Sequence, residues 1–435
     1  MLIDISFKNY RSIKDEQFFS LEAGSLKLKS ENTFAPIPDN ENLKLLKSAV
    51  VYGANASGKT NFIRLMHTLR NFILNSSELK AGDYIPKRYY DPFLLDDFSV
   101  NCPTEITVNF IPKNKKKHRY IIIYNRTEII YEYLGVYETS RISKIFERKN
   151  ANEFVEFGEE AMQNKKEDKR VAKNNLFLSK FGSIPNEQLR DIYLYFKELE
   201  VWNIPNVKHI NELYNGIQKI LIDTKKQEFK RKLSKLISVA DTKISEVHVS
   251  IKLEDEYDNL TENSKEQIIN SSRLETYGVH QSYASGKESG RCHLSFNDQE
   301  SQGTKAIFAI GGLFLEAFER ENPVIIVLDE FNNSLHPDLA KFLVELFHNP
   351  KVNKNNSQLV FATHDTTLLD KKVFRKDQIW FSEKNKYGIT EFYSVKDFND
   401  LKNVRSDIPF DKWYRTGKFG AVPNIKKLEF IAEYE

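Results

Sequence analysis

The chain has 435 residues, 40% of them hydrophobic and 29% charged, with a formal net charge of +3 at pH 7. This length and balance predict a globular protein with two domains, or one large domain with an insertion. So small a net charge neither requires nor excludes nucleic acid as a partner. The two cysteines, Cys102 and Cys292, argue against a disulfide framework and fit a reducing compartment. A charged N-terminus without an apolar signal region, and no apolar segment of bilayer length, predict a cytoplasmic protein without a membrane partner.

The first third of the chain predicts strands around a single helix. Alternation in "LIDISF" and "QFFSLEA" indicates two strands that pair, and the continuous apolar run 49–52 indicates a strand buried on both faces. A helix is expected from about residue 58 to residue 74. "EITVNFI" and "RYIIIY" then predict a hairpin joined by a basic turn, and "IIYEYLGVYE" continues the meander.

The middle of the chain is charged, and its pattern predicts helices from about residue 140 onwards. Amphipathic candidates lie at 188–202 and 217–240, with a loop at 203–215 between them. "EVHVSIKLE" predicts a strand, and the polar stretches 258–273 and 284–291 predict surface segments.

Buried strands return late in the chain, in "PVIIVLDE" and "SQLVFATHD". The predicted fold class is therefore α/β, a mixed sheet flanked by helices, with an antiparallel β subdomain and a helical insertion. The predicted division is an N-terminal lobe at 1–134, the insertion at 135–290 and a C-terminal lobe at 291–435.

Residues 53–60 fit the phosphate-binding pattern G-x-x-x-x-G-K-[ST] and lie between the buried strand and the helix. Glycines let backbone N–H groups close around a phosphate, and the helix N-terminus adds a favourable field. Lys59 is expected to reach the β- and γ-phosphates of ATP, and the Thr60 hydroxyl is expected to ligate Mg²⁺. The predicted nucleotide-binding residues of this segment are Gly53, Asn55, Ala56, Ser57, Gly58, Lys59, Thr60 and Asn61.

Two carboxylates and a histidine follow the late apolar strands. Asp329 and Glu330 lie at a strand carboxyl end, where α/β sheets bind ligands. Asp329 is predicted to hold Mg²⁺, directly or through water, and Glu330 to position and activate the attacking water. His364 ends the next apolar strand and is predicted to reach the γ-phosphate by a hydrogen bond. Without the phosphate-binding loop, solvated acids and a structural histidine would explain the same residues.

The polar run 300–304, Glu-Ser-Gln-Gly-Thr, breaks directly into an apolar helical segment. A capped helix needs one Ser or Asp, whereas this run combines a serine, a glycine and a helix N-terminus, all suited to phosphate. Because residues 53–60 already hold the β-phosphate in the same chain, the run is predicted to serve the nucleotide of another subunit.

Together these motifs resemble a known family. The matching segments are "FKNYRSIKD", "YGANASGKTNFIRLM", "DPFLLDD", "ESQGTKAIFAIGGLF", "VLDEFNNSLHPDLAKFLVELF", "LVFATHD" and "YRTGKFGAVP". They are similar to the SMC/RecF-like branch of ABC-type ATPases and, within it, to the AAA-labelled, OLD-like ATPases of bacterial phage-defence operons. The resemblance implies an ABC-type P-loop NTPase core and a homodimer or higher homo-oligomer with composite ATP sites.

The same resemblance implies roles for particular residues. The run 300–304 corresponds to the ABC signature, so that Ser301 and Gly303 contact the γ-phosphate held by the opposite subunit. Residues 333–337 correspond to the D-loop region that faces the dimer partner, and His364 corresponds to the switch histidine. One departure is that no glutamine occurs between Gln17 and Gln163, where ABC ATPases usually carry the Q-loop glutamine. Either another side chain, such as Glu105 or Asp91, takes its place, or the element is absent.

For two segments the sequence allows two interpretations each. The basic tract 113–119 is either a charged hairpin tip or a patch that contacts DNA phosphates, which would make binding salt-dependent. The helical insertion is either a short coiled arm or a docking platform for a partner protein.

The sequence is therefore interpreted as an ATP-hydrolysing sensor or regulator in antiphage defence, similar to AbiL/RloA-type abortive-infection ATPases and to the ATPase of the PARIS system. About 70 residues follow His364, too few for the TOPRIM nuclease module of some OLD-like relatives. The effector, such as a TOPRIM nuclease, is thus expected to be separately encoded, and DNA or a phage protein is the expected trigger. The alternatives are a RecF-like DNA-binding repair ATPase and a scaffold that binds nucleotide structurally.

Overall fold

The computed structural model describes residues 1–26, 28–37, 42–138, 141–159, 169–184, 186–240, 242–251, 274–398 and 409–423. Its strands are β1 (Leu2–Lys8), β2 (Gln17–Ser20), β3 (Thr33–Phe34), β4 (Leu45–Leu46), β5 (Ser48–Tyr52), β6 (Thr104–Phe110), β7 (His118–Tyr124), β8 (Ile129–Tyr137), β9 (Ile142–Lys149), β10 (Glu156–Phe157), β11 (Glu200–Asn203), β12 (Glu246–Ile251), β13 (Leu274–Ala284), β14 (Lys287–Ser295), β15 (Ile325–Asp329), β16 (Gln358–Ala362), β17 (Ile379–Lys384) and β18 (Thr390–Ser394). Its α-helices are α1 (Lys59–Asn75), α2 (Glu187–Lys197), α3 (Val207–Ile222), α4 (Gln227–Val239), α5 (Gln302–Glu319), α6 (Pro337–His348) and α7 (Phe410–Arg415). Among these described helices, none has the length and apolar character to cross a membrane.

The chain divides into two compact units. The first comprises Met1–Val201, Asn322–Asp329 and Phe347–Glu435, and the second comprises Trp202–Glu321 and Glu330–Leu346. The chain passes from the first unit to the second between the two adjacent carboxylates Asp329 and Glu330. The three-part division expected from the sequence stays a prediction.

The first unit contains a seven-stranded antiparallel sheet in the order β10-β9-β8-β7-β6-β1-β2. The predicted pairing of the first two strands is confirmed, with Ile5 opposite Phe19. Strand β7 alternates between buried and half-buried residues, because one face of the sheet covers the core and the other faces solvent. This sheet is the predicted antiparallel β subdomain.

A second sheet of six strands, in the order β11-β15-β16-β5-β17-β18, carries the predicted buried strands. Strands β15, β16, β5 and β17 are parallel, and β18 is antiparallel to β17. Every residue of β5, β15 and β16 is buried, as their continuous apolar runs predict for a sheet covered on both faces. In the core, the Phe19 ring lies 4.8 Å from the Phe62 ring of α1 and 4.9 Å from the Trp380 ring of β17, so α1 and both sheets share one core.

The second unit is built around α5, which packs against α3 and α4. The predicted buried helix is confirmed, since twelve residues of α5 are buried, Gly311 and Gly312 among them. A Cβ atom at Gly311 would lie 2.6 Å from Leu236 of α4, and one at Gly312 would lie 2.8 Å from Ile217 of α3. These two glycines therefore allow the helices to pack closely. The antiparallel sheet β12-β13-β14 completes the unit.

Some local predictions for the middle of the chain were wrong. Residues 142–149 form strand β9 rather than helix, since pairing with β8 overrides their charged pattern. Helix α3 begins inside the predicted loop, because the Asn206 side chain accepts hydrogen bonds from two N–H groups of its first turn. The predicted long helix 217–240 is interrupted at Asp223, whose backbone is extended. The polar stretch 284–291 forms the tip of the β13–β14 hairpin, and the stretch 258–273 lies outside the described residues.

Candidate functional site

The loop 53–58 connects the buried strand β5 to α1 and has an unusual backbone. Ala56 and Gly58 adopt positive φ angles of 63° and 113°, a left-handed conformation that closes the loop tightly before the helix begins at Lys59. Gly58 is the N-cap of α1 and offers no side chain to its first turn. The N–H groups of a helix N-terminus attract anions, so the loop and helix together form a cradle suited to phosphate.

The underside of this loop rests on the hairpin formed by β17 and β18. A Cβ atom at Gly53 would lie 2.3 Å from the Ser382 carbonyl oxygen, and one at Gly58 would lie 2.4 Å from Thr390 Oγ1. The Ser57 and Ser382 hydroxyls are 2.7 Å apart, and Thr390 Oγ1 donates to the Ser57 carbonyl oxygen at 2.9 Å. Both glycines are therefore required by close packing against β17 and β18.

Lys59 is nearly buried, with 6% of its surface exposed, and its side chain lies against the loop. Its Nζ donates to the carbonyl oxygens of Gly53 at 2.6 Å and Ala54 at 3.0 Å. The ammonium group is thus held where phosphate oxygens in the cradle could pair with it. Thr60 and Asn61 follow in the first helical turn, and the Asn61 amide donates to Ser12 Oγ at 2.7 Å.

Ser12 links three segments around the loop, and the sequence alone did not identify it. Its hydroxyl accepts from Asn61 Nδ2 and lies 2.8 Å from Thr390 Oγ1, while its carbonyl oxygen accepts from the Thr390 N–H at 2.8 Å. The motif "FKNYRSIKD" includes Ser12 and was the available signal. Ser382 and Thr390 had no such signal, because they lie more than 300 residues from the loop.

The carboxyl ends of β5, β16 and β15 lie at one edge of the six-stranded sheet. The parallel register aligns Asp329 with Ala362, and Ala362 with Val51. Asp329 is 3% exposed, and the Thr363 N–H donates to the Val51 carbonyl oxygen at 3.1 Å. Asp329, the exposed His364 and the loop that follows β5 are thus brought to the same sheet edge, where parallel α/β sheets bind ligands.

Glu330 begins the second unit and has a left-handed backbone, with φ at 48°. A non-glycine residue pays about 1 kcal/mol or more for this conformation, and such residues concentrate at functional sites. The Glu330 carbonyl oxygen accepts from the Asn333 N–H at 3.0 Å, and Ser334 is also left-handed, with φ at 67°. The segment after Asp329 is therefore a tight turn that fixes the backbone of Glu330.

The polar run 300–304 starts α5 in the second unit. Ser301 is its N-cap, and Ser301 Oγ accepts from the Thr304 N–H at 3.0 Å. A Cβ atom at Gly303 would lie 3.0 Å from the Ser334 carbonyl oxygen, so the run packs closely against the predicted D-loop region. Ser301 is exposed, which leaves a helix N-terminus with a hydroxyl available to a ligand from outside.

The two candidates for the missing glutamine are placed differently. Glu105 lies on β6 and pairs with Lys8 Nζ at 3.0 Å. Asp91 pairs with Arg11 Nε at 3.2 Å, and its carbonyl oxygen accepts from the Arg11 N–H. Arg11 precedes Ser12, so Asp91 is connected to the start of α1 by the turn that contacts Asn61.

The late motif "YRTGKFGAVP" lies behind the loop. The Tyr414 ring of α7 is 5.8 Å from the ring of Tyr52, the residue that precedes Gly53, and the Tyr414 hydroxyl donates to the Ala421 carbonyl oxygen at 3.0 Å. Tyr52 is fully buried, and this burial, followed by the Asp365 carboxylate, raises the pKa of its hydroxyl well above the usual range. This motif therefore supports the strand that presents the loop.

The residues at the sheet edge fit a nucleotide with Mg²⁺. The cradle combines the left-handed loop backbone with a lysine ammonium beside it and a helix N-terminus. Thr60 and Asp329 supply hydroxyl and carboxylate oxygens, the donors that Mg²⁺ prefers. No cluster of three His, Cys, Asp or Glu side chains suited to a metal occurs among the described residues. Mg²⁺ in nucleotide sites needs fewer protein ligands, because substrate phosphates and waters complete its shell.

The chain is similar to several solved structures and matches one family model. Similar solved structures include an SMC head bound to the C-winged helix domain of ScpA, with 12% identity, coverage of 92% of this chain and 99% of that one, and a TM-score of 0.46. An SMC head domain from Thermotoga maritima has 10% identity, coverage of 90% and 98%, and a TM-score of 0.41. The recombination mediator protein RecF with ATP has 13% identity, coverage of 90% and 97%, and a TM-score of 0.36. No curated protein matches the chain. A family model described as "AAA domain, putative AbiEii toxin, Type IV TA system" matches residues 48–370, well over half of the chain, which therefore belongs to this AAA-domain family.

Proposed function

We propose that this chain is a Mg²⁺-dependent ATPase, which hydrolyses ATP to ADP and phosphate. The observation that carries the proposal is the sheet edge, where the left-handed loop 53–58, Lys59, Asp329 and His364 follow neighbouring parallel strands. Phosphoryl transfer depends on positioning and on charge stabilisation, and these residues supply both.

Each residue then has a defined task. Lys59 and the loop N–H groups hold the β- and γ-phosphates, while Thr60 and Asp329 hold Mg²⁺. When bound, Mg²⁺ supplies positive charge against the charge that develops on the phosphates. Glu330 accepts a hydrogen bond from the attacking water and takes its proton, and His364 donates a hydrogen bond to the γ-phosphate. The constrained backbone of Glu330 supports this role, because it limits where the carboxylate can lie.

ATP sites are completed by a second copy of the chain, so that the protein works as a homodimer or larger homo-oligomer. Ser301 and Gly303 of one copy contact the γ-phosphate held by the loop of the other. The exposed N-terminus of α5, with its serine hydroxyl and close-packed glycine, supports this assignment.

In the cell the ATPase acts as a sensor or regulator in antiphage defence by abortive infection, and it controls a separately encoded effector such as a TOPRIM nuclease. A phage protein or DNA is the trigger, and the protein works in the cytoplasm without a membrane partner. The description of the matching family, with its putative AbiEii toxin and type IV TA system, supports a role of this kind.

A RecF-like role in DNA repair finds less support in the basic tract 113–119. Lys116 pairs with Glu138 at 2.8 Å, and the cationic groups of Lys117 and Arg119 lie over the Tyr137 ring at 4.9 and 5.8 Å. These three cations contact the end of the neighbouring strand β8 and the residue after it, as expected of a charged hairpin tip.

The deciding experiment measures ATP binding and turnover in two variants. Lys59→Ala is expected to lose ATP binding, because the phosphates lose their positive partner. Glu330→Gln is expected to bind ATP but to hydrolyse it at least about 100-fold more slowly, since the water loses its base. Glu345→Gln, at an exposed acid of α6, is the matched control and should behave as wild type. Normal turnover in Glu330→Gln would refute its role, and bound ATP without turnover in the wild type would favour the structural scaffold.

A further inference from the structure

A partly buried acid–histidine pair lies at the start of the run 300–304. His280 Nε2 of β13 donates to Glu300 Oε1 at 2.6 Å, and Glu300 directly precedes the N-cap Ser301. The Glu300 side chain is 8% exposed and the His280 side chain 19% exposed. A carboxylate with so little access to water depends on its hydrogen-bond partner, and losing that partner costs more than at the surface.

The Glu300 carboxylate packs against strand β13. Gly278 and His280 lie two residues apart and therefore on the same face of the strand. A Cβ atom at Gly278 would lie 3.1 Å from Glu300 Oε1, so the glycine lets the carboxylate approach the strand while His280 binds it.

Other hydrogen bonds also hold the segment before Ser301, among them one from the Phe296 N–H to the Thr276 carbonyl oxygen of β13 at 2.9 Å. The N–H groups of Gln299 and Glu300 donate to the Ser295 carbonyl oxygen at 2.9 and 3.2 Å, and the Gln299 side chain accepts from the Ser295 N–H at 2.8 Å. These contacts shape the turn after β14. Among the described residues, the side-chain hydrogen bond between Glu300 and β13 is the one from His280.

We infer that His280 is a positioning residue for Ser301, acting through Glu300. The pair fixes the residue before the N-cap, and so fixes the direction in which Ser301 Oγ and the first N–H groups of α5 face. Ser301 Oγ already accepts from the Thr304 N–H, so a small rotation at Glu300 would move a hydroxyl that is itself bonded into the helix. This inference rests on the proposed ATPase function, in which Ser301 contacts a γ-phosphate.

The test compares His280→Ala and His280→Gln, whose amide N–H can still donate to Glu300. His280→Ala is expected to lower kcat by about 10- to 100-fold, the usual effect of losing a hydrogen bond to a charged group, with KM for ATP and nucleotide affinity unchanged. His280→Gln should stay within about threefold of wild type. The double variant His280→Ala/Glu300→Ala should be no slower than His280→Ala, because both changes remove one interaction.

His248→Ala is the matched control in the same sheet. His248 lies on β12, where its Nε2 is 3.3 Å from Glu246 Oε2, at a more exposed position. The variant His248→Ala should leave kcat unchanged. This control separates the general effect of losing a histidine–glutamate pair from the positioning of Ser301.

A second measurement does not depend on turnover. Hydrogen exchange of the Thr304 amide, which is bonded to Ser301 Oγ, should be faster in His280→Ala and normal in His280→Gln and His248→Ala. If the wild type shows no turnover, the proposed function fails, and the exchange pattern alone decides for or against positioning. Wild-type kcat in a folded His280→Ala, an equal loss in His280→Gln, or unchanged exchange at Thr304 would each overturn the inference.

Discussion

Replacing Gly58 by alanine tests whether the loop geometry depends on β18. The backbone at Gly58 has φ at 113°, and a Cβ atom there would lie 2.4 Å from Thr390 Oγ1 and 2.5 Å from Thr390 Cγ2. The left-handed backbone costs an alanine about 1–2 kcal/mol, and overpacking against Thr390 costs about 1–3 kcal/mol more. Gly58→Ala should therefore lower the free energy of unfolding by about 2–5 kcal/mol.

Two comparisons separate these contributions in urea-unfolding experiments. Gly82 also has a positive φ, at 87°, but no atom lies within 4 Å of the position its Cβ would take. Gly82→Ala should thus show only the backbone cost of about 1–2 kcal/mol. The pair Gly58→Ala and Thr390→Ala, analysed as a double-mutant cycle, should recover the overpacking part.

The same variant should weaken ATP binding measured by titration calorimetry. The loop N–H groups must move when Cβ displaces Thr390, and each 1.4 kcal/mol of lost interaction lowers affinity about tenfold. Gly82→Ala should bind ATP as the wild type does. The reasoning is refuted if Gly58→Ala retains wild-type affinity and stability, or if Thr390→Ala gives no recovery in the cycle.

Three further predictions concern the second unit, acid stability and the late motif. Ser301→Arg and Lys59→Ala should each lack ATP turnover, and mixing the two variants should restore part of it if one intact composite site can hydrolyse ATP. Turnover per chain should also fall on dilution. Constant turnover per chain from a monomer would contradict shared sites. Burial lowers the pKa of His348 to about 3, so the unfolded chain binds a proton that the folded chain does not between that value and pH 6.5. Stability should therefore fall by about 2 kcal/mol between pH 6.5 and 5 through this group, and His348→Gln should flatten the slope measured by urea unfolding. Tyr414→Ala should weaken ATP binding, because the Tyr52 ring loses its neighbour. Tyr414→Phe keeps the ring and should lose only about 1 kcal/mol of stability. Equal ATP affinity in the wild type and both variants would show that Tyr414 does not support the loop.

The sequence predicts those parts of the fold whose pattern is local. The strand at 49–52, the helix after Gly58 and the buried helix α5 each have an unbroken apolar pattern and a glycine or serine at the boundary, and the structure has them at the expected places. The site is less predictable, because its loop rests on residues that carry no motif. Ser382 and Thr390 matter only because β17 pairs with β5, a contact between distant parts of the chain.

Backbone geometry was equally hidden from the pattern. The residue types around Glu330 do not predict its left-handed conformation. That conformation is set by the turn that continues to Ser334. The sequence did contain a signal for the start of α3, since Asn206 is a preferred N-cap residue and follows a proline. The strand at 142–149 could not be predicted from its pattern. Its charged residues suit a solvent-facing side of a sheet, and that sheet exists only through pairing with β8.

The position of β5 in its sheet has a consequence for how the protein is made. Strand β5 lies between β16 and β17, and Ser57 is 325 residues from its partner Ser382. At about 5–20 residues per second, a ribosome needs on the order of 15–65 s to make the chain between them. For most of that time β5 lacks both neighbours, and throughout it the loop lacks its support, so the nascent chain cannot yet bind nucleotide. Such non-local pairing folds slowly and exposes apolar strands, and the newly made protein should therefore depend on chaperones more than on its ligand for protection.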